Sequence, residues 1–272
     1  MKADARGSTF PKIVYKYRSW SNKNHRRILT NNEVWMASPG IFNDPFDCRI
    51  EMDFDNLSDV ELLQWGNAIV NSTKEEAIAE NIDVEAKRQE WAVRVRDKPA
   101  LKRECENLVQ EALFKKLGIL SLSSVWDNTL MWSHYGDSHK GFCIGFNEHV
   151  LRESKCFDGG NNVSYQKQFP VLNPLRMKPE DFRIRWSIKA QQWNYEEEYR
   201  LFKMDFSPDS NEDSAWRSRI VPEDSIAEVV IGTEMSSTHR NELVSICHQR
   251  KIPVYQAKKN LVELRITRDL LP

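Results

Sequence analysis

Apolar and polar residues alternate in short runs over most of the chain, and in one long stretch the period turns helical. Ile13–Trp20 opens on β-branched and aromatic residues and predicts a strand. A short helix is expected over Asn22–Asn32 and a second strand over Glu33–Ser38, which Pro39-Gly40 breaks. Ile41–Cys48 reads as a loop, because Asn43, Asp44 and Pro45 favour turns. Across residues 57–117, Leu57, Val60, Leu63, Trp91, Val95, Leu101, Cys105, Leu108 and Leu113 recur at helical spacing. Ser58 before Glu61 marks a helix start. The stretch is read as a charged helical segment inserted between strands.

Strands are expected again at 118–124, 141–146, 162–166 and 194–206, with helices over Thr129–Tyr135 and Phe182–Gln191. The last third predicts strand 226–232, helix Ser237–Arg250 and strands 252–258 and 262–267. The pattern is mixed α+β: a mixed β-sheet core, a helical insertion at about 57–117 and a C-terminal β-α-β-β element. Neither repeats nor low-complexity linkers interrupt it, so one domain over 1–272 is expected, with 1–11 as a loose tail.

Composition narrows the function classes. The formal net charge of −1 gives no global field toward nucleic acid or an anionic membrane. No stretch is apolar and long enough to span a bilayer, and the N-terminus has no apolar signal core. The five cysteines are widely spaced, without a C-x-x-C pair, which reads as reduced thiols in a cytoplasmic protein. Nine Trp are many for 272 residues, and Trp lines cores and ligand clefts.

Three constellations carry chemistry. Asn43-Asp44-Pro45-Phe46-Asp47 is a Pro-fixed polar loop that either orients a ligand or caps a turn. Residues 131–141 gather Trp132, His134, Tyr135, His139 and Lys140 beside two Gly, a density suited to hydrogen-bonding a polar ligand. His134, His139 and Cys143 match no zinc spacing, so no metal is expected. Glu196-Glu197-Glu198 is expected on a strand, with Glu196 and Glu198 on one face and Glu197 on the other. Such a pair either forms a solvated edge or stabilises an oxocarbenium-like centre.

KYRS (16–19), SPGIFNDPFDC (38–48), LMWSHYGDSHKGFCIGF (130–146) and WNYEEEYRL (193–201) together resemble the bacterial domain of unknown function family 2971, from about Tyr15 to the final strands. A second resemblance is to ADP-ribosyltransferases, which build a split mixed sheet around NAD. Arg18 resembles their first-strand Arg. Leu120–Ser124, with Ser121 and Ser123, resembles their Ser-rich strand, with Tyr135 as the alternative middle residue, and Glu196–Glu198 resembles their late Glu-x-Glu.

That resemblance implies NAD as substrate, Glu198 and Glu196 as catalytic residues, Arg18 on the pyrophosphate and Trp132 or Tyr135 against nicotinamide. It implies a toxin or defence effector whose acceptor macromolecule is unknown. Arg18, Ser123, His134, Tyr135 and Glu198 are then expected to converge on one pocket. The alternatives are a hydrolase or nuclease using the same Glu and His residues, and a non-catalytic ligand- or partner-binding module.

Overall fold

A computed structural model describes residues 10–49, 51–72, 74–79, 81–95, 97–176, 178–206 and 214–272. Its centre is an eight-stranded mixed sheet. In chain order the strands are β1 (Ile13–Arg18), β2 (Glu33–Trp35), β3 (Leu117–Ser123), β4 (Phe142–Asn147), β5 (Gly159–Asn162), β6 (Ser164–Gln166), β7 (Ile188–Ala190), β8 (Glu198–Met204), β9 (Ser218–Ile220), β10 (Ile226–Ile231), β11 (Val254–Asn260) and β12 (Arg265–Leu270). The large sheet runs β12-β11-β10-β4-β1-β3-β8-β5, and small pairs form between β2 and β9 and between β6 and β7. β10 and β11 pair in parallel across helix α9 (Ser237–Gln249), which gives the expected C-terminal β-α-β-β element.

The sheet forms where the sequence has continuous apolar runs. Phe142–Phe146 is buried throughout because β4 lies between β1 and β10, both antiparallel to it. Val14, Phe142, Ile144, Leu120, Leu122, Leu201 and Val229 share one core cluster, into which helix α1 (Lys23–Thr30) lowers Ile28 and Leu29. Burying each such side chain contributes roughly 1.5–3 kcal/mol. The opposite face carries Tyr15, Tyr17, Met131, Trp132, Cys143 and Val230.

β1 and β3 are the exception to full pairing. They meet at Tyr15↔Ser123, whereas β1 and β4 pair over six positions. Farther along, Ile119 of β3 pairs with Ala37, which follows β2, so β1 parts from β3 there. This parting opens the space described below.

The helical segment comprises α2 (Asp59–Ser72), α3 (Lys74–Ala79), α4 (Val84–Arg94) and α5 (Lys98–Lys116). Ser58 and Glu61 form the expected reciprocal cap: Ser58 N–H donates to Glu61 Oε2 at 2.9 Å and Glu61 N–H to Ser58 Oγ at 3.3 Å. Leu57, Trp91, Val95, Leu101 and Cys105 are buried in a cluster of their own with Phe54 and Trp65, while Val60 and Leu108 are exposed.

Two expected elements differ. Phe182–Gln191 is not one helix: α8 (Pro179–Ile184) ends early and Ile188–Ala190 is β7, paired in parallel with β6. The strand expected over 194–206 spans Glu198–Met204, preceded by a 3-10 helix over Gln191–Glu196. Of the expected tail, residues 1–9 lie outside the described residues. Helices α6 (Thr129–His134) and α7 (Glu148–Glu153) flank β4.

Candidate functional site

The parting of β1 and β3 is filled by a cavity of about 460 Å3. β1 supplies Lys16 and Arg18 to its wall, β3 supplies Ser121 and Ser123, and the C-terminal end of α6 supplies His134 and Tyr135. The loop after Ala37 closes one side with Ile41, Phe42, Asn43 and Asp47. Lys189 on β7, with Glu196 and Glu198 at the junction of the 3-10 helix and β8, completes the lining. The five residues expected to converge, Arg18, Ser123, His134, Tyr135 and Glu198, all line this one space.

The acidic side is a buried ion network. Lys189 Nζ lies 2.5 Å from Glu196 Oε2 and 3.1 Å from Glu198 Oε2. Arg200 donates to Glu198 from Nε at 2.7 Å and from Nη2 at 2.9 Å. It also forms a two-point pair with Asp47, at 2.9 and 2.5 Å. Arg200 is fully buried, and unpaired ions so placed cost several kcal/mol each.

The two carboxylates differ in their surroundings. Burial pushes Glu198 up, but Arg200 and Lys189 outweigh it and hold the acid well below the ordinary carboxylate range. Burial and the neighbouring Glu198 raise Glu196, and Lys189 and the Tyr135 hydroxyl only partly offset them. Tyr135 Oη donates to Glu196 Oε1 at 2.7 Å and accepts from Asn43 Nδ2 at 3.3 Å.

Backbone geometry sets this arrangement. Glu197 adopts a left-handed conformation, φ 40°, between the 3-10 helix and β8. Glu196 and Glu198 therefore meet at Lys189 without sharing a strand face, while Glu197 points outward to accept from Ser124 Oγ at 2.9 Å. Ser123 Oγ donates to the Glu196 carbonyl at 2.7 Å, so it fixes the position of that residue. Asn128 caps α6 and donates from Nδ2 to the Tyr195 carbonyl at 2.9 Å, tying Tyr135 to the glutamates.

β1 contributes two cationic side chains to the lining. Lys16 Nζ donates to the Ser121 carbonyl, and among the described residues neither Lys16 nor Arg18 has a carboxylate ion pair. Burial lowers Arg18 to about 10. Burial and then the Arg18 charge pull Lys16 well below the usual lysine range, against the pull of Glu198 and Glu196. Gly141 permits this wall, since a Cβ there would fall 2.1 Å from the Arg18 carbonyl oxygen.

Other expected residues lie elsewhere. Trp132 is fully buried beneath β1, edge-on to Tyr17, and its indole N–H donates to the Trp126 carbonyl at 2.8 Å. His139 stacks on Trp132, and Lys140 is exposed. Asp137, Ser138 and His139 are all left-handed, so this segment makes the tight turn into β4. Asp44 caps the Phe46 N–H at 2.9 Å, the turn-capping alternative.

None of Lys16, Lys189 and Arg200 is singled out by sequence, and Asp47 reads there only as part of the Pro-fixed polar loop. Lys and Arg beside Glu look like a solvated face, and only the fold brings Asp47 to them. Among the described residues no three His, Cys, Asp or Glu side chains are grouped as metal ligands, and no helix is long and apolar enough to cross a membrane. All five cysteines are free thiols.

Fold and site define a mixed α+β protein with a cavity between parted strands, lined by Lys16 and Arg18 of β1 and by a buried ion network. Residues 131–201 match the model of a family described as protein of unknown function (DUF2971). The match runs from α6 into β8 and contains Tyr135, Lys189, Glu196, Glu198 and Arg200. It is narrower than the resemblance drawn from Tyr15 onward, for KYRS and SPGIFNDPFDC lie outside it. No curated protein and no solved structure matches the chain, so the likeness to ADP-ribosyltransferases rests on the motifs alone.

Proposed function

We propose that the cavity binds NAD and that the protein is an ADP-ribosyltransferase-like enzyme in which Glu196 is the working carboxylate. The observation that carries the reading is the presence, in one cavity, of Arg18, which has no carboxylate ion pair among the described residues, and of Glu196 held by Tyr135 and Lys189. A guanidinium fork suits a pyrophosphate. A carboxylate in the same cavity suits the ribose, where positive charge develops as the nicotinamide bond breaks.

The roles differ from the motif assignment. Glu198 is the counter-ion of Arg200 and Lys189, with little capacity left for a ligand, whereas Glu196 meets the cavity with an adjustable proton and a phenol beside it. Ser121 supports Glu198 and Ser123 supports the Glu196 backbone, so both serve through the glutamates. Tyr135 and Phe42 offer aromatic surface to a base. A non-catalytic binding module is the second reading, favoured by the tight pairing of Glu198.

Equilibrium dialysis with NAD tests the first step. The wild type should bind, and Arg18→Gln should weaken binding by about tenfold or more, through loss of a charge-assisted contact. Absence of binding to the wild type contradicts the proposal. Binding without nicotinamide release favours the module.

A further inference from the structure

Lys16 has no part in the NAD account, yet it sits inside the same cavity. Its amine donates to the Ser121 carbonyl and has no carboxylate ion pair among the described residues. The charges acting on it are the cations Arg18 and Lys189 and the carboxylates Glu198 and Glu196. A lysine that is desolvated and next to another cation is the setting in which the amine becomes a nucleophile.

We propose that Lys16 forms an imine with a small aldehyde or ketone that carries an anionic group, and that Arg18 holds that group. The Lys16 Nζ lone pair attacks the carbonyl carbon, and the carbonyl π pair takes up a proton to give a carbinolamine. The hydroxyl then leaves as water while the C=N bond forms, so both amine hydrogens depart with the carbonyl oxygen. No oxidant or reductant is required. Tyr135 and Glu196, lining the same cavity, are the proton donors at hand. Burial and the adjacent Arg18 charge lower the proton affinity of Lys16, which favours the free amine that attacks. The proposal does not depend on NAD, since it needs only the amine and Arg18.

The probe is pyridoxal 5′-phosphate, followed by borohydride reduction and tryptic mapping of the wild-type protein at pH 7. Trypsin does not cut at an alkylated lysine, so a modified Lys16 appears in the peptide Ile13–Arg18. That peptide should label about tenfold faster than peptides carrying the exposed Lys258 and Lys259, as expected of an activated amine. Pyridoxal without the phosphate should lose the advantage, as should Arg18→Gln treated with the phosphate form. The proposal is overturned if Lys16 stays unlabelled while surface lysines react, or if phosphate and Arg18 make no difference. Nicotinamide release from NAD is measured separately, so either reading can fail alone.

Discussion

Arg200 and Asp47 lie 153 residues apart in the chain and meet in a fully buried two-point ion pair, with Nη1 2.9 Å from Oδ1 and Nη2 2.5 Å from Oδ2. The pair fastens the loop after β2 to the β3–β8 half of the sheet and closes one side of the cavity. Arg200→Met would leave Asp47 and Glu198 buried with Lys189 as their remaining cation. Breaking a buried pair in this way costs about 3–5 kcal/mol. Urea denaturation should show a lowered midpoint with an unchanged slope.

The two glutamates should separate under the same substitution. Glu198→Gln removes the charge that balances Arg200 and should destabilise the fold by about 3 kcal/mol or more. Glu196→Gln removes a charge that burial already disfavours, so its melting temperature should stay near that of the wild type. Thermal denaturation of both variants at neutral pH decides this. Equal losses would remove the distinction between the two carboxylates.

His25, near Arg18 on α1, gives stability a pH dependence. Burial, and then Arg18 and Lys16, lower its pKa from 6.5 to about 4. Between those values the unfolded chain binds a proton that the folded chain does not, so stability is present above pH 6.5 and is lost as pH falls toward 4. His25→Asn should flatten that part of the melting-temperature profile. An unchanged slope in the variant would assign the loss to other groups.

Glu196 should set the acid limb of any activity on NAD. Acting as a carboxylate, it must be ionised, and its pKa lies above the ordinary 4.5 because of burial and Glu198. The profile of kcat/KM should therefore fall on acidification at a pH above 4.5, and Tyr135→Phe, which removes a hydrogen bond to the carboxylate, should shift that limb higher still. A limb that ignores Tyr135→Phe would point to another titrating group.

Much of the fold was legible in the sequence because its main strands are apolar and end in clear breakers. β1, β3, β4 and β10–α9–β11 follow directly from such runs. β7 was hidden because Lys189, buried only through its ion pairs, reads as a solvent-facing helical residue. The Glu triplet misled in a different way. Alternation along a strand predicted the right pairing of Glu196 with Glu198, but the left-handed Glu197 produces it. Arg18, Tyr135 and the glutamates were visible as chemistry out of place, whereas Asp47 and Lys16 gain theirs from partners far along the chain.

The most direct test is single-turnover release of nicotinamide from labelled NAD by wild type, Glu196→Gln and Glu197→Gln, with melting temperatures matched. The account predicts release by the wild type, a loss on the order of a hundred- to a thousand-fold in Glu196→Gln, and near-wild-type rates in Glu197→Gln, whose side chain points out of the cavity. Wild-type protein that releases no nicotinamide, or Glu196→Gln that releases it at the wild-type rate, would contradict the account.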